Sequence, residues 1–136
     1  MTAARHHFTT TVLWVTALYY GACGVSAILY PRIWLLVAGL PAPTPTPTEL
    51  ALAFGVAGVY LLTMAFAAIL SALNPEAHRG LILTLIVGNV LDFAVTLKAV
   101  VAQSLPIING GLFIAITVGF AVVLLLAYLK LRLEKA

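Results

Sequence analysis

Polar positions are so sparse along this chain that four long apolar runs stand apart, at about 9–30, 47–73, 75–103 and 107–133. Each holds the roughly 20 apolar residues needed to cross about 30 Å of hydrocarbon at about 1.5 Å per residue. A membrane barrel would show two-residue alternation, which these runs lack. Lipid also offers nothing to pair with an open backbone amide, so the runs are predicted to be helices. The expected fold class is all-α, a polytopic membrane protein. A single domain over 1–136 forms a four-transmembrane-helix bundle, with a short interfacial helix in the first outer loop.

The connections carry their own punctuation. Pro31 stops the first run. The stretch Pro31-Arg32-Ile33-Trp34-Leu35-Leu36-Val37-Ala38-Gly39 is too short to span and suits a helix lying in the interface, with Trp34 at headgroup level and Gly39 as its stop. Pro41-Ala42-Pro43-Thr44-Pro45 then reads as an extended polyproline strap. Thr46-Pro47-Thr48-Glu49 has the form of a capping box, with Thr46 as N-cap, Pro47 at N1 and Glu49 at N3. Asn74-Pro75 ends the second span and caps the third. Pro106 and Gly110-Gly111 mark the last connection.

Composition confirms the class and narrows the alternatives. Charged residues make up 8% of the chain and hydrophobic ones 63%, with a mean hydropathy of +1.14. A soluble domain carries about 25% charged residues, so lipid must cover the apolar surface here. The net charge of +3 is too small and scattered for nucleic acid, and it matches the cationic bias of cytoplasmic membrane loops. Arg5, Arg79, Lys130, Arg132 and Lys135 fall at one end of the bundle, against Arg32 and the nearby Lys98 at the other. Both termini and the Asn74–Gly80 turn are therefore expected in the cytoplasm, and the Pro/Thr strap outside. Tyr20-Gly21-Ala22-Cys23 faintly resembles a lipoprotein cleavage box. However, Tyr20 replaces its leading aliphatic residue and the apolar run continues to Leu29, so the first helix is expected to be retained.

Asp92 is the most informative residue. It lies near the middle of the third span, where an aspartate costs roughly 2.5–3.5 kcal/mol on insertion scales. It shares a helix face with Asn89 and Thr96, and with Thr84 and Gly88 one and two turns earlier. Tyr19 and Tyr20 sit near the centre of the first span, whereas membrane tyrosines favour the interfaces. Tyr60, Thr63 and Thr117 have similar depth. A polar core of Asp92, Asn89, Thr96, Tyr19 and Tyr20 is the economical expectation, since buried polar groups need partners. Either Asp92 is protonated or hydrogen-bonded and fixes helix register, or it handles protons or binds a ligand in a small intramembrane cavity. Lys98 lies roughly 240° from Asp92 around the helix at about 100° per residue, and is expected to snorkel to the headgroups. Helix packing is expected at Gly21 and Gly24, at Gly55 and Gly58, and at Gly88 and Gly119.

Catalysis has little support. His6, His7 and His78 all lie at one membrane end, so none is placed to ligate a haem or pigment at mid-membrane, and His6-His7 point apart on a helix. The single Cys23 allows no Cys-x-x-Cys pair, and no glycine-rich phosphate loop is present. No enzymatic activity, metal or cofactor is expected.

Leu13-Trp14, Tyr19-Tyr20-Gly21, Tyr30-Pro31-Arg32-Ile33-Trp34 and Gly39-Leu40-Pro41, followed by Asn74-Pro75-Glu76-Ala77-His78-Arg79-Gly80, give the chain a likeness over most of its length. It resembles the small bacterial BphX-like membrane proteins, four-helix proteins encoded near aromatic-degradation genes and without an established activity. The resemblance implies a bacterial inner (plasma) membrane location and assigns no site residues; the Pro/Thr strap is a local departure. The function expected from the chain is that of a non-enzymatic accessory or structural subunit. It would contact the lipid bilayer and pack against other membrane subunits or itself, and no nucleic acid. The alternative is a small transporter or binder of apolar or aromatic ligands that uses the intramembrane carboxylate of Asp92. The first helix carries no acid, unlike the small multidrug exporters that this chain matches in size.

Overall fold

The computed structural model describes residues 7–133. The order is α1 (His7–Leu29), α2 (Pro31–Val37), α3 (Thr48–Leu73), α4 (Arg79–Val101) and α5 (Ile107–Leu133). All but α2 are long and apolar enough to cross a membrane, so the chain is an all-α multi-pass membrane protein. Arg5 and Lys135, which entered the expected topology, and His6, weighed as a ligand, lie outside the described residues.

Helix ends show how local chemistry sets the boundaries. At the end of α2, the N–H of Leu40 donates to the Leu35 carbonyl at 2.9 Å and that of Gly39 to Leu36 at 3.0 Å. This is a Schellman closure, with Gly39 at φ +72° supplying the left-handed residue. The same closure ends α4: Ser104 donates to Ala99 and Gln103 to Val100, both at 3.0 Å, with Gln103 at φ 57°. That is why the third span stops at Val101 rather than at Gln103, and it puts the exposed Lys98 in the last turn. A cation there is favoured by the partial negative charge of a helix C-terminus.

Two expected starts are corrected. Pro47 is extended, at φ −56° and ψ 142°, and its carbonyl accepts the first helical bond from Ala51, so it is the N-cap of α3 and the Thr46 capping box does not form. Pro75 does not open α4. The Asn74 side chain accepts from the Ala77 N–H and the Asn74 carbonyl from His78, each at 3.1 Å, closing one separate turn before the helix begins at Arg79. The strap contains a cis Thr44–Pro45 bond.

The four spans pack as two close pairs, α1 with α3 and α4 with α5, and the contacts between pairs are sparser. Gly24 and Gly58 make the first seam. A Cβ on Gly24 would lie 2.9 Å from the Gly58 carbonyl oxygen, and one on Gly58 2.8 Å from the Gly24 carbonyl oxygen. The two backbones touch, the arrangement by which helices gain dispersion contact in lipid. Gly21 has only Ala65 within reach, at 3.9 Å from its would-be Cβ. In the second seam Gly110 plays the close-packing part, because a Cβ there would meet Val100 and Leu105. Gly88 lets the ends of Met64 and Tyr60 rest on α4. Gly55 and Gly119 meet nothing within 4 Å and do not pack inside the chain, a correction to the expected packing set.

The core runs through Leu13, Ala17 and Tyr20 of α1, Met64, Ala65 and Ala68 of α3, Ile82 and Leu85 of α4, and Leu124 and Leu131 of α5. Most hydroxyls within the spans are satisfied on their own helix. Thr16 bonds the Val12 carbonyl, Thr63 that of Val59, Ser71 that of Ala67 and Thr117 that of Phe113. Four-residue back-bonding removes the need for a partner across the bundle.

Candidate functional site: a polar cavity under Trp34

Between the two helix pairs lies a cavity of about 190 Å³. Its walls come from all five helices: Tyr19, Tyr20 and Cys23 of α1, Trp34 of α2, Leu61 of α3, Asn89, Asp92 and Thr96 of α4, and Phe113 and Thr117 of α5 among them. The five residues expected to form a polar core are thus brought together around one space.

Their bonding differs from the expectation. The Tyr20 hydroxyl donates to Asn89 Oδ1 at 2.7 Å, and Asn89 Nδ2 donates to the Leu85 carbonyl at 2.8 Å. Both side chains are buried, at 2% and 0% exposure. Tyrosine and asparagine therefore satisfy one another, and Asp92 is not the centre of the network. The reason is register: Asn89, one turn before Asp92, meets the Tyr20 hydroxyl first. Asp92 is half-buried and lines the cavity, and among the described residues it accepts no hydrogen bond and forms no ion pair. It shares the cavity walls with the phenols of Tyr19 and Tyr20 and the hydroxyls of Thr96 and Thr117.

The rings make a second feature. Tyr19 and Tyr20 meet edge-on at 5.5 Å between centroids, and Phe120 lies 4.8 Å from Tyr19 and 5.9 Å from Tyr20. Trp34 turns its ring inward, onto the bundle. It stacks on Phe113 at 6.4 Å with an interplanar angle of 18°, and its indole Nε1 donates to Ser26 Oγ at 3.1 Å, whose own hydroxyl bonds the Cys23 carbonyl. The indole thereby finds both the apolar contact and the acceptor that it needs when buried. Asn109 of α5 fastens the far end of α2, its Nδ2 donating to the Val37 carbonyl at 2.7 Å. Leu35 is buried beneath the short helix, while Ile33, Leu36 and Val37 stay exposed on its outer side. Phe113 was not singled out in the sequence, and Trp34 was read there only as an interfacial residue. Their contact spans 79 positions, and neither carries a polar signal in its own run.

A second hollow of about 420 Å³ lies between α1 and α5 toward the His7 end. Its lining is nearly all apolar, with Phe8, Val12, Val15, Ala115, Phe120 and Val123 around the open face of Gly119. Ile116 borders both hollows, and Phe120 stands between the groove and the two tyrosines.

No protein-family model, no curated protein and no solved structure matches this chain.

Proposed function

We propose that this chain is an intramembrane binding protein for small, largely apolar molecules that contain a ring, held in the cavity beneath Trp34. One observation carries the proposal. A 190 Å³ space in the bundle is walled largely by aromatic side chains and holds a carboxyl group that none of the described residues bonds. Sites for small molecules are mostly apolar with a few placed polar groups. A bundle that merely needed a polar register pin would bury Asp92 against a donor, as it does Asn89 against Tyr20. The size matches one ring with a short arm, since a cavity of about 150 Å³ takes benzene.

Iodobenzene tests this in lipid nanodiscs, with Trp34 as the reporter in a Trp14→Phe background. Saturable heavy-atom quenching that disappears when Thr117→Phe fills the cavity is expected. Quenching that rises linearly and equally in both proteins would reduce the cavity to an ordinary packing gap.

A role as a subunit of a membrane assembly, with itself or with others, has a separate observation behind it. Gly55, Gly111 and Gly119 present bare backbone with nothing within 4 Å. Such small-residue faces serve close helix contact. Native mass spectrometry from mild detergent should then show oligomers or bound membrane proteins, and a clean monomer opposes this role. Both readings place the protein in a bacterial inner membrane with its termini cytoplasmic. The support is the grouping of Arg79, Lys130 and Arg132 at one end, where Arg79 Nη2 bonds the Leu131 carbonyl. Reporter fusions to the C-terminus and to the 38–47 strap test the orientation.

A further inference from the structure

Building on the cavity as a binding site, we infer that its preferred occupant is a single-ring organic ammonium ion, an arylalkylamine whose cationic nitrogen pairs with the Asp92 carboxylate while its ring lies among Tyr19, Trp34 and Phe113.

Three features of the walls point the same way. First, Asp92 is the one acidic group lining the cavity, and among the described residues no cation pairs with it. Lys98, the nearest cation along α4, stands six residues on, about 9 Å along the axis, and is exposed on another face. A cation brought from outside is therefore what would hold this acid in its ionised form, because a charge in a membrane interior is ordinarily paired or else neutralised by a proton. Second, aromatic rings surround the acid, and their faces attract cations as well as stacking on a ligand ring. The same walls carry no arginine, lysine or histidine to receive an anion. Third, four of the wall donors that could have competed for Asp92 are committed elsewhere. Tyr20 donates to Asn89, Asn89 to Leu85, Trp34 to Ser26 and Thr117 to Phe113. An occupant that brings its own donors can meet the acid directly, and an ammonium group carries up to three. The space beyond the carboxylate admits one ring and a two-carbon arm, not a fused polycycle with a long tail.

Three ligands of nearly equal size separate this inference from the reading beneath it: 2-phenylethylamine, its neutral counterpart 2-phenylethanol, and the anionic phenylacetate. Equilibrium dialysis against wild-type protein in nanodiscs is compared with dialysis against the cavity-filled Thr117→Phe protein, which subtracts partition into lipid. The expected result is that the amine binds at least tenfold more tightly than the alcohol, and that phenylacetate does not bind. Asp92→Asn should abolish the amine's advantage and leave the alcohol's affinity unchanged, with the elution profile of the folded protein retained. The wild-type order of the three ligands stands as a test even if that variant fails to fold. Equal binding of amine and alcohol, or an advantage that survives Asp92→Asn, overturns the cation preference while leaving the cavity as a binding site. Failure of all three to bind above the filled variant overturns both.

Discussion

The seam between α1 and α3 and the boundary between the two helix pairs are built on opposite plans. In the first, Gly24 and Gly58 bring backbone against backbone, and nothing polar is needed to hold it. In the second, the pairs are joined at separated polar points. The Thr9 hydroxyl bonds the Ala127 carbonyl at 3.4 Å, Tyr20 bonds Asn89 at 2.7 Å, and Asn109 bonds the end of α2 at 2.7 Å. Between those points lie the two hollows. Lipid tails are as apolar as the side chains, so helix association in a membrane rests on close packing and on hydrogen bonds rather than on water exclusion. A bundle that uses packing on one side and bonds on the other can be rigid where it is full and still keep room where it is not.

The sharpest way to break this comparison is to put bulk into the full seam. Gly58→Leu drives a side chain into Ile28 and into the Gly24 carbonyl oxygen, which cannot withdraw without separating the helices. Loss of about 3 kcal/mol or more is expected, shown by aggregation on extraction or a large fall in the thermal midpoint. Wild-type behaviour would mean that the seam is slack.

A smaller effect is expected at the bonded boundary. Asn89→Leu leaves the buried Tyr20 hydroxyl without an acceptor, at a cost of about 1–3 kcal/mol. Adding Tyr20→Phe should recover part of that loss, because both halves of the pair are then apolar. A double-mutant cycle read by thermal unfolding measures the coupling, and simple additivity would show that the bond contributes nothing. The corresponding test at Asp92 has the opposite expectation. Asp92→Leu orphans neither Tyr20 nor Asn89, since each keeps its partner, and stability should be retained.

How much of this was legible in the sequence depends on the range over which each feature is determined. The spans were legible because a run of 20 apolar residues has few other uses, and Gly39 as a stop because a left-handed residue at a helix end is so often glycine. Gln103 fills the same position at the end of α4, and a glutamine gives no such signal. The residues of the polar core were legible as oddities in hydrocarbon. Which of them bond was not, because the choice between Asn89 and Asp92 depends on the rotation of α4 against α1. The inward turn of Trp34 depends on Phe113 and Ser26, and an interfacial tryptophan is the ordinary expectation from the chain alone. Glycines were visible as small residues, but whether one faces a neighbour, as Gly24 does, or open space, as Gly55 does, is a property of the assembled bundle.

At the end of α2, Gly39→Ala sharpens the comparison from the cavity's cover. The position has φ +72°, and an added Cβ would lie 2.7 Å from Asn109 Oδ1 and 3.2 Å from a Pro106 ring carbon. A cost of about 1 kcal/mol is expected from the backbone alone. Because Asn109 also holds the Val37 carbonyl, the strain should loosen α2 and with it the Trp34 stack. In a Trp14→Phe background, a changed Trp34 emission maximum and faster cysteine labelling at Leu35 report that loosening. An unaltered spectrum would show that Trp34 is held by Ser26 and Phe113 regardless of the turn.

The smallest effect is expected from the counterpart of the first substitution. Gly119→Leu makes the same chemical change as Gly58→Leu, in the middle of a spanning helix of similar length. Only the surroundings differ: an added Cβ at Gly58 collides with backbone, and one at Gly119 meets nothing within 4 Å. Leucine also suits a helix interior better than glycine, which offsets any small crowding against Phe120 or Val15 on the groove walls. Stability should therefore stay within about 0.5 kcal/mol of wild type, the range of substitutions that disturb no packed feature. Thermal unfolding of the two variants side by side measures the contrast directly. If Gly119→Leu proved as damaging as Gly58→Leu, the α1–α5 groove would have to be filled in the folded protein, by a closer approach of the helices or by a second chain seated against α5. Native mass spectrometry of wild type separates those two cases, since only the second yields a dimer that Gly119→Leu abolishes.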